Sequence, residues 1–447
     1  MSPHARRVLT GIVGIAVAVG IVAVWIIRGP DPMAFAGGPR VELKDYKDAN
    51  PTGVPKPLAQ ASIVERGEYL AKAADCMVCH TAQGGKEFAG GLGFKLPFGM
   101  LYSTNITPDK ETGIGNYSDK DFLNAVQRGI RHDGARLYPA MPYTSYTYVT
   151  DADALAIKAY LFSLAPVRAT PPANTLSFPF NQRWAMMFWS EMFNPDTRYE
   201  PDTSKSPEWN RGAYLAEALA HCGQCHTPRN LAFALNNRRK FAGAVTAGWR
   251  AFNISSDKAT GVGGWRDGDL ISYLSAGHAA GHGTASGPMG EAVDNSLSQL
   301  APEDIRAIVA YLRSVPPTAS SDLPATLAPP ASASHKDGSQ EARGKMIFQG
   351  ACVSCHGWTG ESAISPMATL TGAWAVNDPG ATNVAQIVIS GTRRHTPEGA
   401  LSMPAFGNAY SDDEIAAIAN YVTARFGSQG SKLTANDVAG LRKQTAE

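Results

Sequence analysis

The six cysteines of this sequence form three pairs, Cys76 and Cys79, Cys222 and Cys225, Cys352 and Cys355. Each pair has the spacing Cys-x-x-Cys, and a histidine follows each at once: His80, His226 and His356. Two thiols at this spacing beside an imidazole suit three kinds of chemistry. They can ligate zinc, cycle as a redox dithiol, or form thioethers to a haem whose iron the histidine binds. Zinc needs four ligands in one place, yet these pairs lie more than a hundred residues apart. A thioredoxin-like dithiol needs a βαβ surround and leaves the histidine of all three copies unexplained. Covalent haem attachment is therefore the reading, with three covalently bound haem c groups expected.

Each iron then needs a sixth ligand or an open site. Methionine is the expected ligand, because its soft thioether favours reduced iron. Between His226 and the end of its repeat stands one methionine, Met289 in "SGPMGEA". Met141 in "LYPAMPY" and Met403 in "LSMPAFG" hold the same slot in the other copies. The expected ligand pairs are His80 with Met141, His226 with Met289, and His356 with Met403. His132, His278, His282 and His395 are rival ligands, while Met77, Met186, Met187 and Met192 read as packing.

The elements that must position these groups repeat with them. "ERGEYLAKAADCMVCHT", "NRGAYLAEALAHCGQCHT" and "ARGKMIFQGACVSCHG" each carry Arg-Gly, an apolar helical turn and the cysteines. "NITPDKETGIGNYSDKDFLNAV" and "NISSDKATGVGGWRDGDLISYL" continue the match in the first two copies. Each copy closes on a stretch with apolar residues three and four apart, at 151–164, 301–315 and 411–426, which predicts a helix. Ser411 with Glu414 reads as a capping box, and Pro302 suits a first helical turn. The chain reads as all-α, with three helical units in tandem.

Residues 8–27 carry no charge, long enough to span a bilayer, and Arg6 and Arg7 precede them. The expectation is a retained N-terminal transmembrane helix with the bulk of the chain on the periplasmic side; a cleaved signal ending at "AFA" is the competing reading. The segment 183–193, "RWAMMFWSEMF", reads either as packing on the first unit or as a docking surface for a partner or membrane. The net charge of +1, from 40 basic and 39 acidic residues, gives no footprint for nucleic acid. No Gly-rich dinucleotide loop or nucleophile constellation is present, so no catalytic residue is assigned.

"YSTNITPDKETGIG", "GIRHDGARLYPAMPY", "AHCGQCHTPR" and "SMPAFG" resemble the three-haem cytochrome c subunits of bacterial membrane-bound, quinone-linked dehydrogenases. The likeness spans about 60–447. Gly67, Gly212 and Gly344, with Tyr160, Tyr311 and Tyr421, resemble the crossed helices of small cytochromes c, where glycine admits an aromatic ring. The resemblance implies cytochrome c (class I-like) domains at 60–169, 206–316 and 339–427. The rest divides into an anchor at 1–35, an extended connector at 36–59, linkers at 170–205 and 317–338, and a tail at 428–447. It implies electron transfer from dehydrogenase subunits through the haems to ubiquinone at the cytoplasmic membrane. Alcohol, gluconate, fructose and aldehyde dehydrogenases have such subunits. The apparent anchor and the end soon after "LTANDVAGLRKQTAE" are more similar to the aldehyde type, which implies molybdopterin and iron–sulfur partner subunits. A peroxidase-like haem enzyme and a stand-alone electron carrier are the alternatives.

Overall fold

The computed structural model describes residues 27–320, 338–396 and 399–444. The expected transmembrane segment at 8–27, apart from Ile27, and most of the Pro/Ala/Ser-rich linker lie outside the described residues. Among the described residues, no helix is long and apolar enough to cross a membrane.

Each repeat begins and ends with a helix, and the two pack together. Ile63–Ala73 packs on Asp151–Ser163, Pro207–Ala213 on Pro302–Ser314, and Gly338–Ile347 on Asp412–Phe426. Local chemistry sets the starts. Ser62 and Glu65 satisfy each other's backbone N–H groups, as do Ser411 and Glu414, and Pro302 occupies a first turn where its missing N–H costs nothing. At the crossings stand Gly67, Gly212 and Gly344. A Cβ there would run into the carbonyl oxygen of Ala156, Ala307 or Ala417, with the Cβ of Tyr160, Tyr311 or Tyr421 next to it. The glycines thus admit a backbone first and an aromatic residue second.

The units are helix-rich, as the repeat predicts, with short hairpins added among the helices. Among the described residues four two-stranded antiparallel sheets lie in the connections: β1 (Gly93–Leu96) with β2 (Gly99–Tyr102), β3 (Ala244–Thr246) with β4 (Trp249–Ala251), β5 (His278–Ala279) with β6 (Gly283–Thr284), and β7 (Thr392–Thr396) with β8 (Gly399–Met403). Strands of two to five residues are too short for period-two alternation to show in sequence. The β3–β4 turn is Ala247–Gly248, both left-handed with φ of 49° and 78°. Such a two-residue turn matches the twist of the strands it joins.

One apolar core runs through the first and second repeats and takes in Met33 and Tyr199; the third repeat has its own. The segment read as a connector at 36–59 is wedged between the first two. The Gly53 N–H donates to Asp153 at 2.8 Å, and Arg211 donates to the Pro51 and Gly53 carbonyls at 3.0 and 2.9 Å. The segment at 317–320 stays on the second unit, with Thr318 O accepting from Asn253 at 2.7 Å and the Ser320 N–H donating to Thr260 at 2.9 Å. The second and third units meet along β3–β4. Arg250 pairs with Asp378 at 3.0 Å, Asn383 exchanges two hydrogen bonds with the Arg250 backbone, and the Trp374 N–H donates to His282 O at 3.1 Å.

Candidate functional site

Each Cys-x-x-Cys-His motif folds as a single helical turn: Cys76–Cys79 capped by His80, Gly223–His226 after Cys222, and Val353–His356 after Cys352. One turn brings residues three apart onto one face, so both thiols of a pair point to the same side. In the second and third repeats a π-helical stretch, Tyr214–Leu219 or Phe348–Cys352, leads into the motif. In the first two repeats the residue before the first cysteine, Asp75 or His221, is left-handed, with φ of 53° and 38°.

All three histidines are held alike. Nδ1 of His80 lies 2.6 Å from Thr104 O, that of His226 2.6 Å from Phe252 O, and that of His356 2.6 Å from Ala368 O. A carbonyl only accepts, so Nδ1 carries the proton and Nε2 keeps a free lone pair. Burial lowers all three imidazoles below the ordinary value, and the carbonyl contacts oppose that shift. These are neutral, oriented rings with one nitrogen ready for a metal.

The thiols point away from redox cycling. Burial pushes Cys76, Cys79 and Cys222 up to about 12 and Cys352 up to about 11. A dithiol that attacks disulfides needs the opposite shift. Zinc fares no better: among the described residues no group of three or more His, Cys, Asp or Glu is placed to hold a metal ion. A covalently held haem fits instead, because each motif offers two thiols on one face and a histidine with Nε2 free.

The three expected methionines sit in different backbone settings. Met141 lies in a tight turn, its N–H donating to Tyr138 O at 3.0 Å and its carbonyl accepting from Tyr143 at 2.8 Å. Met289 is on the helix Gly287–Asn295, and Met403 ends β8 opposite Thr392. Met141 and Met289 nevertheless pack on the shared core of the first two repeats, as Cys76 and Cys222 do, and Met403 packs with Cys352 on the core of the third. Met367 is next to Ala368, whose carbonyl holds His356, so it stands on the histidine side. The rival histidines each have contacts of their own. His132 lies against Tyr117 at 4.8 Å, His278 Nδ1 is 2.9 Å from Thr284 Oγ1, His282 stacks on Trp265 at 3.7 Å, and His395 lies 3.7 Å from Asp294.

Two groupings escaped the sequence reading. Asp75 lies near the second repeat's Glu291; burial first, and that carboxylate second, push it up to about 8. His221, beside Cys222, lies edge-on to Tyr146, whose hydroxyl donates to the carbonyl of Ala74 two residues before Cys76, so the first two motifs are neighbours. Between the second and third units, Trp265 stacks on His282 at 3.7 Å and Trp374 meets Trp265 and Phe252 edge-on at 5.2 and 5.5 Å. The buried indole N–H groups of Trp265 and Trp374 have no hydrogen-bond partner among the described residues, donors that suit the carboxylate edge of a haem. The one sequence signal was that Trp265 stands where the first repeat has Tyr117.

Comparison with known proteins agrees with this geometry. The family described as Cytochrome c matches residues 64–165, and that described as Cytochrome C oxidase, cbb3-type, subunit III matches 339–422. The chain is 38% identical over 416 residues to the fructose dehydrogenase cytochrome subunit of Gluconobacter japonicus, covering 88% of this chain and 85% of that one. It is 38% identical over 405 residues to the gluconate 2-dehydrogenase cytochrome c subunit of Pantoea cypripedii, covering 86% and 90%. It is 34% identical over 397 residues to the cytochrome c subunit of the quinone alcohol dehydrogenase of Gluconobacter oxydans, covering 86% and 83%.

Proposed function

The chain belongs to the cytochrome c electron-transfer subunits of dehydrogenase complexes, and from that premise we propose a membrane-held, three-haem subunit that passes electrons from its partner subunits to ubiquinone. The observation that carries the count is the threefold repetition of one device. In each unit a one-turn motif presents two thiols, and a backbone carbonyl at 2.6 Å sets the histidine. Met141, Met289 and Met403 are the proposed sixth ligands.

Bound haem supplies reversible one-electron chemistry. The protein's part would be to hold each histidine neutral and aimed, to offer a thioether as a further ligand, and to keep water out with apolar packing. The nearness of the first two motifs and the aromatic seam to the third unit suit a relay. Partner subunits that oxidise an aldehyde are the reading taken from sequence. The fructose, gluconate and alcohol names of the relatives supply the alternatives.

Several exposed apolar side chains support the membrane seat. Phe98 stacks on Phe180 at 4.0 Å and meets Phe233 edge-on at 6.0 Å, and Trp184 meets Phe188 at 6.2 Å. The helix Ala185–Phe193 packs inward through Ser190 and Trp189 but leaves Trp184, Met187 and Phe188 exposed. Leu231 is 98% exposed, and its neighbour Asn230 donates to Ile27 O at 2.8 Å, where the uncharged 8–27 run ends. Exposed apolar side chains near Ile27, the last residue of an uncharged run, suit a bilayer surface.

Purification of the complex in mild detergent tests the whole reading. The expected result is a cytochrome with three haems per chain, bound to a dehydrogenase subunit and reducing a ubiquinone analogue when substrate is supplied. A chain that migrates alone, or two haems per chain, would overturn it. A high-spin ferric signal from one unit would point to a peroxidase-like haem instead. Serine at Trp184, Phe188 and Leu231 together is expected to weaken binding to phospholipid vesicles while leaving the haem spectrum unchanged.

A further inference from the structure

The helix that bears Met289 is held from outside its own unit. Arg394, on β7 of the third repeat, reaches into the second and is 2% exposed. Its Nη2 pairs with Asp294 at 2.8 Å, and its Nη1 donates to the carbonyls of Gly290 and Ala285 at 3.1 and 3.3 Å. Gly290 follows Met289 directly, Ala285 lies two residues before the helix Gly287–Asn295, and Asp294 lies at its far end. One guanidinium therefore grips the segment before, beside and after the methionine. The grip is two-sided: the His395 N–H donates to Asp294 at 3.3 Å. Space is made for it. A Cβ on Gly277 would collide with the guanidinium, and one on Gly290 would press on Nη1 at 3.2 Å. Arginine suits the role because its planar fork binds several fixed acceptors at once, which a lysine ammonium does not.

The hairpin that carries Arg394 also carries Met403, with Arg394 opposite Leu401 and Thr392 opposite Met403. The methionine segments of the second and third units are thus joined through a single side chain. We propose that Arg394 is a positioning residue for the Met289 ligand, so that the bond from Met289 to the second iron depends on the third unit being seated. A thioether is a weak ligand whose hold depends on how firmly its backbone is placed. This inference rests on the reading of Met289 as an iron ligand.

The test uses the full haem-loaded chain and two readouts. One is the far-red charge-transfer band of methionine-ligated ferric haem, and the other is a redox titration resolving the three components. Met289→Ala first identifies the second haem as the component that loses its band and falls in potential. Arg394→Leu is then expected to lower the potential of that same component and remove most of its share of the band. Arg394→Lys should restore part of the loss, and Asp294→Asn, which keeps the carbonyl contacts, should give a smaller shift in the same direction. These two milder variants decide the matter if Arg394→Leu does not fold. If Met289→Ala alters a component that all folded Arg394 and Asp294 variants leave unchanged, the clamp is overturned and the ligand assignment stands. If Met289→Ala alters no component, the ligand assignment falls and the clamp with it. A shift confined to the component altered by Met403→Ala would make Arg394 local to the third unit and overturn the proposal.

Discussion

Where the first and second units meet, each lends a tyrosine hydroxyl to the start of the other's closing helix. Tyr69 donates to Asp304 at 2.6 Å and accepts the Ala301 N–H at 3.1 Å. Tyr214 donates to Asp153 at 2.6 Å and accepts the Thr150 N–H at 3.3 Å. The two tyrosines hold the same place in the repeat, two residues after Gly67 and Gly212, and so do the two aspartates, seven before Tyr160 and Tyr311. In the third unit these places hold Met346, 64% exposed, and Glu414, which caps its own helix through Ser411. The same helix pair is built three times, but only two copies turn that face toward each other. The third docks by another side, through Trp374, Asn383 and Arg394. The difference teaches that the polar residue at the third helical position is a switch of assembly. Asp153 and Asp304 are buried where the two units meet and take a neighbour's hydroxyl there, whereas Glu414 bonds back to the Ser411 N–H that begins its own helix.

The strongest way to break this contrast is Asp304→Ala. Asp304 is buried and binds both Tyr69 and Arg211, the latter at 2.8 and 2.6 Å through Nε and Nη2. Removing it strands a buried guanidinium, and a loss of about 3–5 kcal/mol is expected in chemical denaturation of the haem-loaded chain. Glu414→Gln is expected to change the same measurement little, because Glu414 is solvent-facing; comparable losses at both positions would refute the contrast.

A pH series probes the interface next. Burial lowers His221 to about 4, and its ring lies edge-on to Tyr146 at 5.5 Å, whose hydroxyl donates to Ala74 O at 2.6 Å. The folded value lies below the unfolded value of about 6.5, so the unfolded chain takes up the extra proton first as pH falls. The stability that neutral His221 contributes is full above about pH 6.5 and is lost on the way down to about 4. The stability difference between the wild type and His221→Asn should change by up to about 3 kcal/mol across that window. A pH-independent difference would show that the imidazole is not buried in the assembled pair. The third unit, with Ala351 at this place, has no matching group.

Tyr69→Phe and Tyr214→Phe sharpen the contrast at a smaller scale. Each removes one hydroxyl bridge and should cost about 1–1.5 kcal/mol. The double variant should cost their sum or slightly more, since both bridges hold one interface. Met346→Tyr is the smallest expected effect: a hydroxyl placed on an open face should leave the denaturation midpoint unchanged. A clear gain there would reveal a partner surface for the third unit.

Much of the site was legible in the sequence. The Cys-x-x-Cys-His turns, the helices that flank them and the capping of Ser411 by Glu414 are local, set by neighbours a few residues apart. The repeat then reported each of them three times. The hairpins were not legible, because strands this short leave no period. The settings of Met141, Met289 and Met403 were not legible either, since a shared slot in the repeat says nothing of turn, helix or strand.

What the sequence by itself determined is the attachment chemistry, the threefold repeat and the helices that frame it, because each is encoded at fixed short spacing. What only the tertiary structure decided is who partners whom. Tyr69 and Asp304 are 235 residues apart, and Arg394 looks like any surface cation until Asp294 and two carbonyls close around it. A charged or hydroxylic side chain can bond equally well to water, to its own helix or to a neighbour. The choice among them is made by the docking of whole units, which excludes the water and brings one acceptor within reach.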